Sequence, residues 1–203
     1  MNPRVLRRFI TYMFVAILVT GAAYFVWQNL ASRAPGDYYT EAGGNRLRDG
    51  EYDKALKNFD LALKEAPDHR GALMGRALVF IARKQYTDAV AELDYLIKFL
   101  VKTLEADDKT GRAVLAAAYA NRGIVHDRQG RYEAALKDYI EALKTDAKAV
   151  EGPGLVDKIL YGNSRPSTIR DRAKYIYEQL KLPKEKRLMR VPARDAKERP
   201  YKP

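Results

Sequence analysis

The sequence predicts an all-α protein in which a single N-terminal transmembrane helix is followed by a solenoid of helical hairpins, a C-terminal capping helix and an extended basic tail. Three observations lead to this fold class. A run of 19 residues without a charged side chain lies near the start, at 9–27. Further on, segments 49–64 and 129–144 align without gaps at an offset of 80 residues. In both segments apolar residues recur every three or four positions, which is the spacing of one helix face.

The N-terminal segment, residues 1–34, reads as a basic start followed by a membrane span. At ~1.5 Å per residue the charge-free run covers roughly 28 Å, close to the hydrocarbon thickness of a bilayer. Three arginines precede the run and only Arg33 closely follows it, so the positive-inside rule places the N-terminus in the cytoplasm. In a bacterium this predicts a single-pass inner-membrane protein with its repeats in the periplasm, and a eukaryotic organelle stays open. A cleaved signal peptide is disfavoured, because signal cores have only about 7–15 apolar residues.

Residues 35–149 form the predicted repeat domain. The two aligned segments agree at turn, aromatic and small positions: Gly50 with Gly130, Tyr52 with Tyr132, Ala55 with Ala135 and Phe59 with Tyr139. Together with Tyr39, Gly43 and Pro67 these residues resemble the tetratricopeptide repeat, a helical hairpin of about 34 residues. The resemblance implies three units, at about 36–69, 70–103 and 116–149, with residues 104–115 inserted before the third.

After residue 149 the repeat register is lost, and residues 150–182 are predicted to form capping helices. One of these is expected from about 167 to 181, with Ser167 or Thr168 as its N-cap. The tail, 183–203, has eight basic residues, three acidic residues and four prolines, and too few apolar residues to fold alone. It is expected to be disordered or extended, as a solubilising tail or as a contact with anionic lipid or an acidic partner.

The net charge of +11 is concentrated at the two ends of the chain. Residues 1–34 carry four Arg and no acidic side chain, residues 35–149 carry 19 basic and 19 acidic side chains, and residues 150–203 carry 14 basic against 7 acidic side chains. The repeat domain is therefore neutral, and no nucleic-acid partner is expected.

The chain offers little catalytic chemistry, since it has no Cys and only two histidines, His69 and His126. These two lie far apart in the sequence and lack the spacing of a metal site. No Gly-rich phosphate loop is present either. We therefore predict no enzymatic activity, no catalytic or metal-binding residue, no cofactor and no small-molecule substrate.

The family resemblance implies protein binding in a groove lined by the first helix of each repeat. Residues one position after the packing positions turn by about 100° toward that groove, given ~3.6 residues per turn. The predicted partner-binding residues are Thr40, Gly44, Leu47, Met74, Leu78, Ile81, Ala120, Ile124 and Arg128. Their small and apolar character favours an amphipathic helix or apolar segment as ligand. Alternatively, the tail or the insertion fills the groove within the same molecule.

These predictions favour a non-catalytic scaffold or assembly factor that is tethered to the membrane through residues 9–27. Its expected partners are protein subunits of a membrane or envelope complex. Two alternatives remain open at this point: a periplasmic biogenesis or secretion chaperone that binds unfolded clients, and a repeat receptor at an organelle surface.

Overall fold

The computed structural model describes residues 3–31, 33–150, 168–195 and 200–201. Most of the segment predicted to precede the last capping helix, residues 151–167, lies outside this part of the chain, as does part of the predicted tail, at 196–199 and 202–203. The regular structure of the described residues is entirely helical. The prediction of an all-α fold is therefore confirmed.

The first helix, α1 (Pro3–Ala31), contains the apolar run. Residues 3–28 of this helix are long and apolar enough to cross a membrane, with a mean hydropathy of 2.0, and none of that stretch is buried against the rest of the chain. The hydroxyls of Thr11 and Thr20 donate to the carbonyl oxygens of Arg7 and Ala16, four residues earlier. Both hydroxyls thus have a hydrogen-bond partner within the helix.

Three helical hairpins follow, built from six consecutive helices. Their bounds are α2 (Asp37–Arg48), α3 (Tyr52–Glu65), α4 (Arg70–Ala82), α5 (Tyr86–Thr103), α6 (Lys109–Arg128) and α7 (Tyr132–Asp146). Each helix packs on the next one along the chain, and the first helices also pack side by side, α2 with α4 and α4 with α6. We therefore regard α2, α4 and α6 as the inner layer of the solenoid.

The turn inside each hairpin needs one residue in the left-handed region of φ. Gly50 and Gly130 occupy this position in the first and third hairpins, each with φ of 75°. In the second hairpin the equivalent residue is Lys84, whose φ is 60°. A side chain disfavours this conformation because its Cβ approaches the following carbonyl oxygen. The second repeat therefore carries a strained turn where the other two repeats have glycine.

In the first and third hairpins, a glycine of the first helix contacts an aromatic ring of the second helix, and this contact sets the distance between the two helices. A Cβ on Gly43 would lie 2.6 Å from the Phe59 ring, and a Cβ on Gly123 would lie 2.7 Å from the Tyr139 ring. The rings are almost completely buried, Phe59 at 1% and Tyr139 at 0% exposure. Repeats one and three are thus closed by the same contact, as their aligned sequences predict.

Equivalent arginines connect neighbouring hairpins at their second helices. Arg122 of α6 donates two hydrogen bonds to Asp138 of α7 and one to Asp94 of α5. In the preceding hairpin, Arg76 of α4 bridges Glu92 and Asp60 in the same way. Bidentate pairing of this kind fixes orientation as well as distance, so these arginines help to set the angle between successive hairpins.

The insertion predicted at 104–115 is accommodated largely by helix extension. Helix α5 has 18 residues and α6 has 20, against 14 in α3 and 15 in α7. Only residues 104–108 connect α5 to α6, and the Asp108 carboxylate caps α6 by accepting from the Gly111 N–H at 2.6 Å. Arg70, at the start of α4, also donates to Asp108.

Helix α8 (Ile169–Lys181) packs against α7 at the end of the array. The Thr168 hydroxyl caps this helix by accepting from the Asp171 N–H at 3.1 Å. On its buried face, Ile169, Ala173 and Ile176 join a core cluster that contains Tyr139. Beyond α8 the chain forms a 3₁₀ turn at Lys184–Lys186 and a single helical turn at Pro192–Asp195. The other described residues beyond α8 are irregular, and Met189, Arg190 and Tyr201 among them contact the repeats.

Candidate partner-binding groove

An open cavity of about 420 Å³ lies between α2 and α4, on the inner layer of the first two hairpins. Its floor includes Phe59, Met74 and Leu78, which are buried, while its rim carries the charged side chains of Glu41 and Arg48. A concave apolar floor with a few polar groups at its edge is the usual character of a binding site in a protein.

The predicted partner-binding residues fall into two groups. Five of them line the cavity: Thr40, Gly44, Leu47, Met74 and Leu78. The other four lie elsewhere: Ile81, Ala120 and Ile124 are 0–1% exposed, and Arg128 is half-buried at the C-terminal end of α6. The structure therefore brings five of the six predicted residues of the first two repeats together at the cavity. Ile81 of the second repeat and Ala120 and Ile124 of the third are buried in this conformation, and Arg128 is partly exposed.

The C-terminal tail covers this third-repeat part of the inner layer. The side chains of Met189 and Tyr201 pack against the buried cluster that contains Ala120 and Ile124. Tyr201 also packs against the larger cluster formed by α4, α5 and α6. In this region, the structure thus agrees with the alternative in which the groove is filled within the same molecule.

Tyr201 is held on α6 by a side chain that sequence reasoning did not select as a partner-binding residue, Asn121. The Asn121 Nδ2 donates to the Tyr201 carbonyl oxygen at 2.7 Å, and its Oδ1 accepts from the Tyr201 N–H at 2.7 Å. The tyrosine hydroxyl in turn accepts from the backbone N–H of Ile169 at 3.1 Å. Met74 links this contact to the open cavity, because its sulfur lies 3.4 Å from the Asn121 Nδ2.

A buried ion pair anchors α8 beside this contact. The Asp127 carboxylate, which is fully buried, accepts from Nε and Nη2 of Arg172 at 2.5 and 2.7 Å. Burial opposes the charge on Arg172, but the hydrogen bonds to Asp127 and the negative charges of Asp127 and Asp195 together outweigh burial and raise the pKa of the guanidinium. The same Arg172 donates to the Met189 carbonyl oxygen, and Arg190 donates to the Asp127 carbonyl oxygen. One network therefore positions both α8 and the tail.

Each of the two histidines contacts residues of the repeat domain, and the two lie in different repeats. The His69 Nδ1 accepts from the Ala72 N–H at the start of α4, and its Nε2 lies 2.9 Å from the Asp37 carboxylate, a contact that lowers the pKa of that carboxyl. Burial lowers the pKa of His126, which lies 3.6 Å from Asp138. Among residues 3–31, 33–150, 168–195 and 200–201, no cluster of three or more His, Asp or Glu side chains is placed to hold a metal ion.

The fold and the groove define a class: this is a helical-repeat protein with a surface suited to binding other proteins. Two family models, both described as tetratricopeptide repeat, match the chain at residues 40–99 and 116–148. Residues 40–99 and 116–148 are therefore tetratricopeptide repeats, as the sequence predicted. At a general level it is a protein-interaction scaffold. A search of curated proteins finds no match to the chain.

Proposed function

We propose that this protein is a non-catalytic scaffold or assembly factor, tethered to the membrane by α1, that holds protein subunits of a membrane or envelope complex in its groove. The observation that carries the proposal is the cavity of about 420 Å³ between α2 and α4, whose floor is apolar in an otherwise charge-neutral domain. A cavity of this size suits a few side chains of an amphipathic helix or apolar segment better than a flat protein surface.

The proposed anchor rests on the character of α1. Its residues at 9–27 are exposed and carry no charge, and in water they would present a hydrophobic surface far larger than monomeric proteins normally tolerate. A bilayer satisfies this surface, and the excess of arginines before the span favours a cytoplasmic N-terminus. We propose that the protein is a single-pass protein of a bacterial inner membrane, with its repeats in the periplasm.

Crosslinking from single cysteines in native membranes tests the groove, because the chain contains no other cysteine. Thr40→Cys would carry a crosslinker at the cavity, and Lys57→Cys, exposed on α3, is the matched control outside it. We expect protein adducts from position 40 that are missing at position 57. Identical adduct patterns at the two positions, or none at position 40, would refute partner binding in this cavity.

The same experiment separates the scaffold from the other functions. One or two adducts of fixed stoichiometry would support a scaffold, whereas a broad distribution of unrelated clients would indicate a biogenesis or secretion chaperone. A membrane-impermeant maleimide added to intact cells and to inverted membranes then tests the topology at Lys57→Cys. Labelling from the cytoplasmic side alone would overturn the periplasmic placement and favour a receptor with cytosolic repeats.

A further inference from the structure

The contact between Asn121 and Tyr201 has the geometry of peptide recognition. The Asn121 side chain is 0% exposed, and its amide pairs with both the N–H and the carbonyl oxygen of one residue. A hydrogen-bonded residue pair in an antiparallel sheet makes the same exchange. It depends on the backbone of the bound residue and not on its side chain, so an extended segment of another protein satisfies Asn121 equally well.

A second contact involves the side chain of the bound tyrosine. Ile169 is the first residue of α8, where a backbone N–H has no partner inside the helix. The Tyr201 hydroxyl accepts from that N–H, while the ring packs between the two core clusters. A phenylalanine would fill the same space but leave the Ile169 N–H without this acceptor. The site formed by Asn121, Ile169 and their neighbours, here named the tyrosine seat, therefore distinguishes tyrosine from phenylalanine.

The tyrosine seat is continuous with the open cavity through Met74, which forms part of the cavity floor and contacts Asn121. A segment bound along the inner layer would therefore pass from the cavity to the seat. We propose that the seat is the third-repeat half of the partner groove. In the resting chain its own Tyr201 occupies it, and an extended, tyrosine-bearing segment of a partner protein replaces that residue. This inference rests on the proposed function.

The exchange conserves the contacts of the seat, because the incoming segment brings the same three groups that Tyr201 withdraws: a backbone N–H, a carbonyl oxygen and a phenol. What favours the resting state is that its ligand belongs to the same chain. A tethered ligand has an effective concentration of about 1 mM. It suppresses a free peptide whose intrinsic dissociation constant is about 10 μM by roughly 100-fold at equilibrium.

A labelled peptide with the sequence of residues 197–203, KERPYKP, tests the proposal on the full chain in detergent micelles by fluorescence anisotropy. We expect Tyr201→Ala to bind the peptide at least ~10-fold more tightly than the wild-type chain, since the tethered competitor is removed. The matched control is Tyr177→Ala, which removes a half-exposed tyrosine of α8 and should bind like the wild type. Equal affinity of Tyr201→Ala and the wild-type chain would overturn the proposal.

Two further arms examine each contact of the seat. The peptide KERPFKP should bind Tyr201→Ala about fivefold more weakly than KERPYKP, because one hydrogen bond is lost. Equal affinities would refute recognition of the phenol. Combining Asn121→Ala with Tyr201→Ala should abolish peptide binding. If that variant unfolds, a photoreactive phenylalanine at the tyrosine position of the peptide replaces it, and crosslinks confined to residues outside α6 and α8 would contradict the seat.

The identity of the occupant is tested by mixing two differently tagged wild-type chains. Absence of co-purification agrees with a seat that closes on its own tail and opens for a partner. Co-purification that is lost with Tyr201→Ala would mean that tails exchange between copies, which overturns a partner segment as the ligand. Failure of crosslinking at position 40 refutes partner binding in the cavity, on which the inference rests, whereas failure of KERPYKP to bind Tyr201→Ala refutes the seat and leaves the cavity proposal standing.

Discussion

Replacing Asp127 by alanine is expected to destabilise the fold strongly, because the Asp127 carboxylate is the charge partner of the buried Arg172 guanidinium. The Arg172 side chain is 7% exposed, and the substitution removes two of its charge-assisted hydrogen bonds. What remains is the Met189 carbonyl oxygen at 3.0 Å and the Asp195 carboxylate at 3.6 Å. Breaking a buried pair by removing one partner costs about 3–5 kcal/mol. The bond from Arg190 survives, since it ends on the backbone of residue 127.

The assay is urea unfolding of the full chain in detergent micelles, followed by circular dichroism. Asp53→Ala is the matched control, because it removes an aspartate that is 90% exposed from its pair with Arg83. An exposed pair contributes only about 0–1 kcal/mol. In the double variant Asp127→Leu/Arg172→Leu the lone buried charge is absent, so much of the stability should return. A cost for Asp127→Ala within about 1 kcal/mol of the control would refute the reasoning.

Three further predictions concern single residues of the repeats. Gly43→Ala should destabilise the fold by about 1–3 kcal/mol, because the new Cβ meets the Phe59 ring. Gly44→Ala should instead stabilise α2 by up to about 1 kcal/mol, because a Cβ at Gly44 meets nothing within 4 Å. Urea titrations in which both variants shift stability in the same direction would contradict this. Lys84→Gly should raise the melting temperature by relieving about 1 kcal/mol of strain in a turn with φ of 60°, and an unchanged or lower value would count against strain. Burial lowers the pKa of His126, so below about pH 6.5 protons bind preferentially to the unfolded chain. The stability of the wild-type chain should therefore fall on acidification, and that of His126→Gln should fall less. Thermal melts of both chains from pH 7 to pH 5 measure this difference.

The repeats could be predicted from the sequence because each aligned residue has one local geometric role. Gly50 and Gly130 supply a positive φ, and Phe59 and Tyr139 each fill the space above a glycine. These contacts join residues that are close in the chain, so the same short spacing between the contacting residues recurs in the sequence of each repeat. In the second repeat, Lys84 stands at the turn where the other two repeats have glycine, so the sequence lacks this signal there.

The sequence allowed the tail as one possible occupant of the groove, but the particular contact could not be predicted, because Tyr201 lies 80 residues from the Asn121 side chain that holds it. No periodicity links Asn121 to Tyr201. The tail also has too few apolar residues to signal a packed segment by composition. A tyrosine in such a tail was one available signal, and Asn121 was another: as a polar residue among the alanines and aliphatic residues of α6, it needed a hydrogen-bond partner once that face was buried.

The ion pair between Asp127 and Arg172 and the tyrosine seat both depend on α8, so variants that affect the tail are expected to differ in how much of the seat they leave intact. The Ile169 N–H that binds the tyrosine hydroxyl belongs to α8, and α8 is anchored on α6 through Arg172 and Asp127. Tyr201→Ala vacates the seat while the anchor of α8 stays in place. Asp127→Ala removes the carboxylate that holds Arg172 on α6, so we expect it to displace α8, and with α8 the Ile169 N–H, from the seat.

The two variants should therefore diverge toward the peptide KERPYKP. Tyr201→Ala should gain affinity, because its seat is vacant and complete. Asp127→Ala should bind the peptide no more tightly than the wild-type chain, because it keeps Tyr201 on Asn121 while its α8 no longer completes the seat. Anisotropy titrations run at a urea concentration where both variants remain folded would compare them directly. An equal gain in the two variants would mean that α8 contributes nothing to the seat and that Asn121 alone, through the peptide backbone, accounts for the binding.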